Sequence, residues 1–362
     1  MIAFCQKSLD VVSENINQKT DNEGSLPVNF NRSIKLDNVS FKYLTGDNIF
    51  DSVSLEISKG EKIAITGESG CGKSTLGRVV IKLIDHTDGR ITFDGRDITN
   101  IAGDANVQLR KEMQIIFQDP YSSLNPRMSV SSLIADPLRV FKTHDKAGRE
   151  KRVFELMDMV GLARRFAYSY PHELDGGRRQ RIGVARALAL SPKFIVCDEP
   201  VSALDVSIQA QILNLLQDLQ KEQRLTYIFV THDLSVVKHI STDILVMYLG
   251  VMVEKCESKE LFRLPLHPYT KGLLSAIPVP RIRREKRRVE LMGELTSPIE
   301  PKDECRFLAR CRYATDICSE KAPQYEEILP KHFVNCHNVR EINDISISGA
   351  DASTVGTASI SQ

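Results

Sequence analysis

Residues 66–75 read TGESGCGKST, with three glycines and a lysine packed directly behind the apolar run KIAIT. Glycine loses the most conformational freedom on folding, so this density between two ordered elements marks a loop that backbone geometry demands. Gly67, Gly72, Lys73 and Ser74 fit the spacing G-x-x-x-x-G-K-[ST], and the helical run STLGRVVIKLI follows, which is the context the motif requires. Backbone N–H groups along Gly67, Glu68, Ser69, Gly70, Cys71, Gly72, Lys73, Ser74 and Thr75 can then turn inward around phosphate oxygens. The next helix points its positive end at them, and Lys73 adds a full charge. Ser74 is placed to hold Mg²⁺. The loop is expected to hold a nucleoside triphosphate, and Cys71 within it is expected to make the site sensitive to thiol reagents.

A second set of groups lies downstream. The apolar run KFIVCDE ends in Asp198 and Glu199. An aspartate at such a strand end can complete a Mg²⁺ shell beside the phosphate loop. The neighbouring Glu199 can orient and deprotonate a water for in-line attack on a γ-phosphate. An acidic pair ending a strand could equally be a solvated edge; its pairing with the loop favours chemistry.

The elements that must position these groups follow from patterning. SIKLDNVSFKY and FDSVSLEIS alternate apolar and polar residues, as half-buried antiparallel strands do. KIAIT, MQIIFQ, FIVCDE and TYIFVTHD are short apolar runs suited to strands buried on both faces, with helical segments between them. That alternation predicts an α/β fold with a mostly parallel core sheet. Residues 120–175 carry helical spacing without strand runs and read as a helical subdomain. Residues 1–33 read as a loose arm. After residue 254 the strand pattern stops; short helices follow, then the basic run RIRREKRR at 281–288, which reads as a solvated linker more than as a lipid contact. The Ser/Gly/Ala/Thr-rich tail at 338–362 is expected to be disordered.

Composition bounds the partners. The chain has 362 residues, with 48 basic and 47 acidic side chains, so it gives no global reason to bind nucleic acid or acidic lipid. No window approaches the ~18 apolar residues of a spanning helix, and the N-terminus lacks a secretory signal. The expected place is cytosolic, and eight cysteines there read as thiols or metal ligands before disulfides.

ELDGGRRQRIGVARALAL (residues 173–190) resembles the signature helix of ATP-binding cassette (ABC) proteins, commonly LSGGQ. Gln118 in IIFQDP, SALD with Asp205, VTHD with His232, and Tyr43 in FKY stand around it in that family's order. The resemblance implies a P-loop NTPase ABC cassette over 34–255, with an antiparallel β subdomain beside the core sheet. It implies ATP and Mg²⁺ as cofactors. It also implies Tyr43 stacking on adenine, Gln118 on Mg²⁺, His232 at the γ-phosphate, and Asp205 communicating across a head-to-tail dimer. In that dimer the partner cassette presents Asp175, Gly176 and Gly177 to the nucleotide. The chain departs where the family has Ser and Gln, here Asp175 and Arg178; Asp175 is expected to cap its helix, with Arg178 or Arg179 compensating its charge.

A narrower resemblance runs from about residue 35 to 337. FQDPYSSLNPRMSV, CDEPVSALDVSIQAQILNLLQDLQ and HPYTKGLLSAIP look like the ATPase subunits of oligopeptide/dipeptide importers, a group whose close relatives include nickel importers. It implies peptide import powered from the cytoplasmic face of the membrane. The implied partners are a second ABC ATPase subunit, two permease subunits and, indirectly, an external solute-binding protein. It also implies that Cys305, Cys311, Cys318 and Cys336, in a C-terminal extension at 256–337, hold a [4Fe–4S] cluster, with structural zinc as the runner-up. The spacing alone leaves cluster, zinc and free thiols open. A nickel or oligosaccharide importer, or a regulatory subunit that binds ATP and hydrolyses it poorly, are the alternatives. The last rests on Asp175 and is opposed by intact Lys73, Glu199 and His232.

Overall fold

The computed structural model describes residues 33–43, 46, 48–277, 293 and 303–345. The basic run, nearly all of the N-terminal arm and the last 17 residues lie outside that set. Strands β1 (Ser33–Lys42) and β2 (Asn48–Ser58) bury alternate residues, as their period-two patterns require. β3 (Lys62–Thr66) runs into the phosphate loop, and β4 (Asp88–Phe93) and β5 (Arg96–Asp97) follow the helix Lys73–Val80. These strands, β3 excepted, form an antiparallel sheet of order β2-β1-β4-β5.

β6 (Met113–Ile116), β7 (Phe194–Asp198), β8 (Thr226–Val230), β9 (Asp243–Tyr248) and β10 (Val251–Glu257) continue the chain, with β11 (Tyr325–Leu329) and β12 (His332–Asn335) near its end. Together with β3 they make one eight-stranded sheet, ordered β11-β12-β10-β9-β3-β8-β7-β6. From β9 to β6 the pairing is parallel. Every residue of β7 and β8 is buried, which explains their unbroken apolar runs. The helix Lys73–Val80 packs closely on this sheet at Gly77, where an added Cβ would meet Val196 Cγ1 at 2.9 Å. Its apolar side joins the antiparallel sheet to the central one in a single cluster containing Leu76, Val79, Ile91 and Val230.

The helices Val130–Val140 and Lys146–Met159 fall within 120–175, and Gly176–Leu188, just beyond that span, packs with them around Leu133, Leu156 and Ile182. The C-terminal extension differs from expectation. Strands return after residue 254: β12 pairs antiparallel with β10 through Glu254↔Val334 and Lys255↔Phe333, so the extension lengthens the cassette sheet. β11 has a mostly exposed pattern, which leaves no apolar alternation in its sequence. Structure also runs past residue 337: Val339 is buried, and Asn343 Nδ2 donates to Leu266 O at 3.0 Å. The boundary expected at 338 therefore moves to at least residue 345.

Candidate nucleotide site

The phosphate loop is shaped by steric necessity. Gly67, Gly70 and Gly72 all have positive φ, at 150°, 85° and 94°, where a side chain is strained. An added Cβ at Gly67 would stand 2.2 Å from Met247 O, so β9 holds the loop from below. Gly72 precedes the first turn of the helix that begins at Lys73, leaving free N–H groups at its positive end.

Strand β7 delivers the acidic groups to that helix, with the β8 end pinning Glu199 through its backbone. Ser74 Oγ donates to Asp198 Oδ1 at 2.7 Å, and Arg78 Nη2 pairs with Asp198 Oδ2 at 3.1 Å. The hydroxyl and carboxylate suited to Mg²⁺ are thus neighbours, although 124 residues apart in sequence. Arg78 as their partner had no sequence signal beyond helical spacing from Ser74.

Glu199 is the point where four segments converge. Its Oε1 lies 3.5 Å from Lys73 Nζ and 3.2 Å from His232 Nδ1, and its Oε2 accepts from Gln118 Nε2 at 2.8 Å. It is 8% exposed, and its backbone N–H donates to Val230 O at 2.9 Å. It adopts φ 46°, a conformation a non-glycine residue holds only when its surroundings fix it, and one that clusters at functional sites. Lys73, Gln118, Glu199 and His232 are therefore brought together, with His232 half-exposed at the rim. Tyr43 lies apart from this group, 49% exposed and edge-on to Phe41 with ring centroids 5.0 Å apart.

Asp175, Gly176 and Gly177 form the start of another helix, and no hydrogen bond joins them to residues 67–75. Asp175 caps that helix by accepting from Arg178 N at 2.8 Å, and its second oxygen pairs with the Arg178 guanidinium. Arg179 is turned inward, buried, bonded to Pro171 O and stacked 3.6 Å over the Tyr121 ring. Of the two candidate cations, only Arg178 offsets the carboxylate. Gly177 is required by packing, since a Cβ there would meet Ile208 Cγ2 at 2.7 Å. Asp205 precedes the helix Val206–Gln223 without a side-chain capping bond.

Cys71 corrects the expectation of thiol reactivity. It is 2% exposed, and burial raises its thiol above the usual range, which leaves little thiolate to react. Glu68 faces away from the loop's interior: its N–H donates to Tyr269 Oη at 2.9 Å and its carboxylate pairs with Arg310.

In the extension, Cys318 is buried, while Cys305, Cys311 and Cys336 are partly exposed around it. Cys305 N–H donates to Cys318 O at 2.9 Å. Burial lifts Cys336 to about 12, with the other three thiols close enough to add to the rise; burial likewise lifts Cys305 to about 11. Thr315 Oγ1 and Asn338 Nδ2 stand 3.6 and 3.9 Å from Cys318 Sγ. The four cysteines thus share one segment of the extension, near enough for Cys305, Cys311 and Cys318 to influence the Cys336 thiol. Another group of metal-ligand types, Glu254, Cys256 and His332, lies deep under the extension. Both oxygens of Glu254 are engaged there, by Leu266 N, His267 N and His332 Nε2.

Known proteins match this architecture along most of the chain. Residues 50–202 match the family described as "ABC transporter", and residues 253–318 match "Oligopeptide/dipeptide transporter, C-terminal region". The oligopeptide transport ATP-binding protein AppF of Bacillus subtilis is 50% identical over 301 residues, covering 82% of this chain and 92% of that one. OppF of Salmonella typhimurium, an oligopeptide transport ATP-binding protein, is 49% identical over 294 residues, covering 80% and 87%. Among solved structures, cbiO1 of Clostridium perfringens, part of the ABC transporter complex cbiONQ, gives a TM-score of 0.60 at 29% identity, covering 65% of this chain and 92% of that one. The ATP-binding cassette MJ0796, dimeric and bound to ADP and Pi, gives 0.57 at 31%, covering 62% and 98%. With phosphate loop, strand carboxylates and sheet-joined extension all in place, this chain belongs to the ABC transporter family, among the ATP-binding proteins of oligopeptide transport.

Proposed function

We propose that this chain hydrolyses the ATP driving peptide import at an interface, with its phosphate loop facing the Asp175–Gly177 equivalent of a second ATPase subunit. The observation that carries the reading is the convergence of Lys73, Gln118 and His232 on Glu199, beside the Ser74–Asp198 pair. Ser74 and Asp198, with Gln118, would hold Mg²⁺, which would neutralise negative charge on the phosphates. An incoming γ-phosphate competes with Glu199 for Lys73. Once that ammonium swings to phosphate, Glu199 is free to take a proton from water, with His232 steadying the same oxygen it now faces. Tyr43, exposed at the end of β1, would lie against adenine. Gln118 begins the path to the helical subdomain, where permease subunits would bear.

Two permeases, a second and different ATPase subunit, and an external solute-binding protein complete the proposed machine at the cytoplasmic face of the membrane. Among the described residues no helix is long and apolar enough to cross a membrane, so a pore must come from partners. The test of the catalytic reading is Glu199→Gln in the assembled transporter: ATP turnover should collapse while nucleotide stays bound.

We propose further that the four late cysteines hold a thiolate-bound [4Fe–4S] cluster. The donor set is all sulfur, and Asn338 Nδ2 donates toward Cys318 Sγ at 3.9 Å while Thr315 Oγ1 lies 3.6 Å from the same sulfur, contacts of the kind that tune cluster sulfurs. No three of the four sulfurs lie within 4.8 Å of one another, wider than the ~3.8 Å that a tetrahedral zinc with ~2.3 Å bonds imposes. The cluster would staple a segment too small to build its own core. Anaerobic purification with iron and sulfide assays decides it; a folded, colourless, iron-free protein overturns it.

A further inference from the structure

The HPYT segment distinguishes this chain's subfamily in sequence, and its physical task becomes visible through Glu68. His267 caps the helix Pro268–Ala276 by accepting from Tyr269 N at 3.1 Å, with Pro268 at the helix start. That cap aims Tyr269, which is fully buried, toward the cassette. Its ring packs against Tyr248 of β9 and against Phe307, with centroids 4.7 and 5.6 Å away. Its hydroxyl accepts the backbone N–H of Glu68 at 2.9 Å.

Arg310 approaches the same residue from the cysteine-bearing segment. Its Nη1 and Nη2 lie 2.7 and 3.3 Å from the two oxygens of the Glu68 carboxylate, a bidentate pair in which the arginine is 9% exposed. Such forked pairs fix orientation as well as distance. Arg310 immediately precedes Cys311, and the guanidinium also lies over the Tyr248 ring at 5.9 Å.

Glu68 passes this constraint inward. Its carbonyl oxygen is 3.5 Å from Lys73 Nζ and accepts Cys71 N at 3.3 Å. One residue therefore meets the extension through its N–H and carboxylate and the phosphate-binding lysine through its carbonyl. We propose that Arg310 and Tyr269 are positioning residues of the ATP site: through Glu68, the cysteine-bearing extension sets the shape of the phosphate loop and hence its affinity for nucleotide. The extension is thereby a control element of the cassette, and whatever orders the segment around Cys311 tunes ATP binding. This rests on residues 67–75 being the nucleotide loop.

The test uses the full-length chain, titrated with a fluorescent ATP analogue and assayed for ATPase activity. Arg310→Met should weaken nucleotide binding about 5- to 20-fold, the scale of losing a charge-assisted forked contact, with kcat at saturating ATP within about 2-fold. Arg310→Lys should recover part of the loss. Glu68→Gln breaks the same pair from the cassette side and should weaken nucleotide binding to a similar extent, and the double variant should bind no more weakly than either single one. Glu68→Gln also carries the test alone if Arg310→Met fails to fold. Wild-type affinity in both single variants overturns the proposal, as do losses that multiply in the double variant. Lys73→Ala separates this from the underlying assignment: if it too binds normally, the phosphate loop itself is misassigned. If it loses binding while the other variants keep it, only the control role falls.

Discussion

Glu199, Asp175 and Gly67 show how much a single position is asked to do. Asp175 introduces a negative charge where an incoming γ-phosphate of a second subunit's ATP would approach, yet its oxygens are turned to Arg178. Both side chains are about half exposed, so the ion pair itself contributes little, and the cap, worth about 1 kcal/mol, dominates. Serine caps equally well. Asp175→Ser should leave ATP turnover within about 3-fold, given the comparable cap strengths; a gain of tenfold or more would mean the carboxylate repels phosphate in the working enzyme. Gly67 allows no such exchange. Gly67→Ala drives a methyl into Met247 O and strains φ, so nucleotide binding should be lost, read by the same analogue titration, while unchanged binding would show the loop to be softer than its geometry. These residues were readable in sequence because loop, lysine and signature are local spacings. The Glu68–Arg310 pair was not, because its partners stand 242 residues apart and an arginine in LARCRY has no periodic pattern to betray it.

The elements were foreseeable where burial writes itself as a run or an alternation, as in β1, β2, β3, β7 and β8. They were hidden in the extension, because β11 and β12 are short, and their place in the sheet depends on a pairing with β10 across some eighty residues. Holding that extension in place costs a buried histidine. His267 Nδ1 accepts a backbone N–H, so the ring must be neutral at that nitrogen. Burial pushes its pKa down from 6.5 to about 4, with Lys271 also lowering it while Glu254 pulls upward. Between about pH 6.5 and 4 the unfolded chain then binds a proton the folded one refuses. Stability from this group is complete above pH 6.5 and declines as pH falls to 4, by at most about 3 kcal/mol. Thermal melts of the full-length chain across that window should show the decline. His267→Asn, which keeps a capping oxygen without a titrating ring, should flatten it; an unchanged slope in that variant would place the titration elsewhere.

At the scale of the whole molecule, the two segments that the proposed function assigns to one nucleotide are not joined within this chain. The phosphate loop, Ser74–Asp198 and Glu199 gather at one end of the central sheet, while residues 175–177 begin a helix of the helical subdomain with no hydrogen bond to them. In the proposed assembly, a complete site would need a second ATPase subunit, each subunit lending its helix start to the other's phosphates. Closure around ATP would be held by the triphosphate's charge, and cleavage removes that charge and releases the halves. Glu199→Gln preserves size, the bond to Gln118 and the neighbourhood of His232, but removes the base. In the assembled transporter the variant should lose ATP turnover by about 10²- to 10⁴-fold, the range a positioned general base supplies. It should also retain ATP through gel filtration where the unaltered complex releases ADP. Loss of turnover without retained ATP would mean that Glu199 shapes the site more than it serves as base, because an intact triphosphate would then be failing to hold the halves together. Full-speed hydrolysis would remove Glu199 from the mechanism and leave His232, half-exposed and 3.2 Å away, as the group to examine.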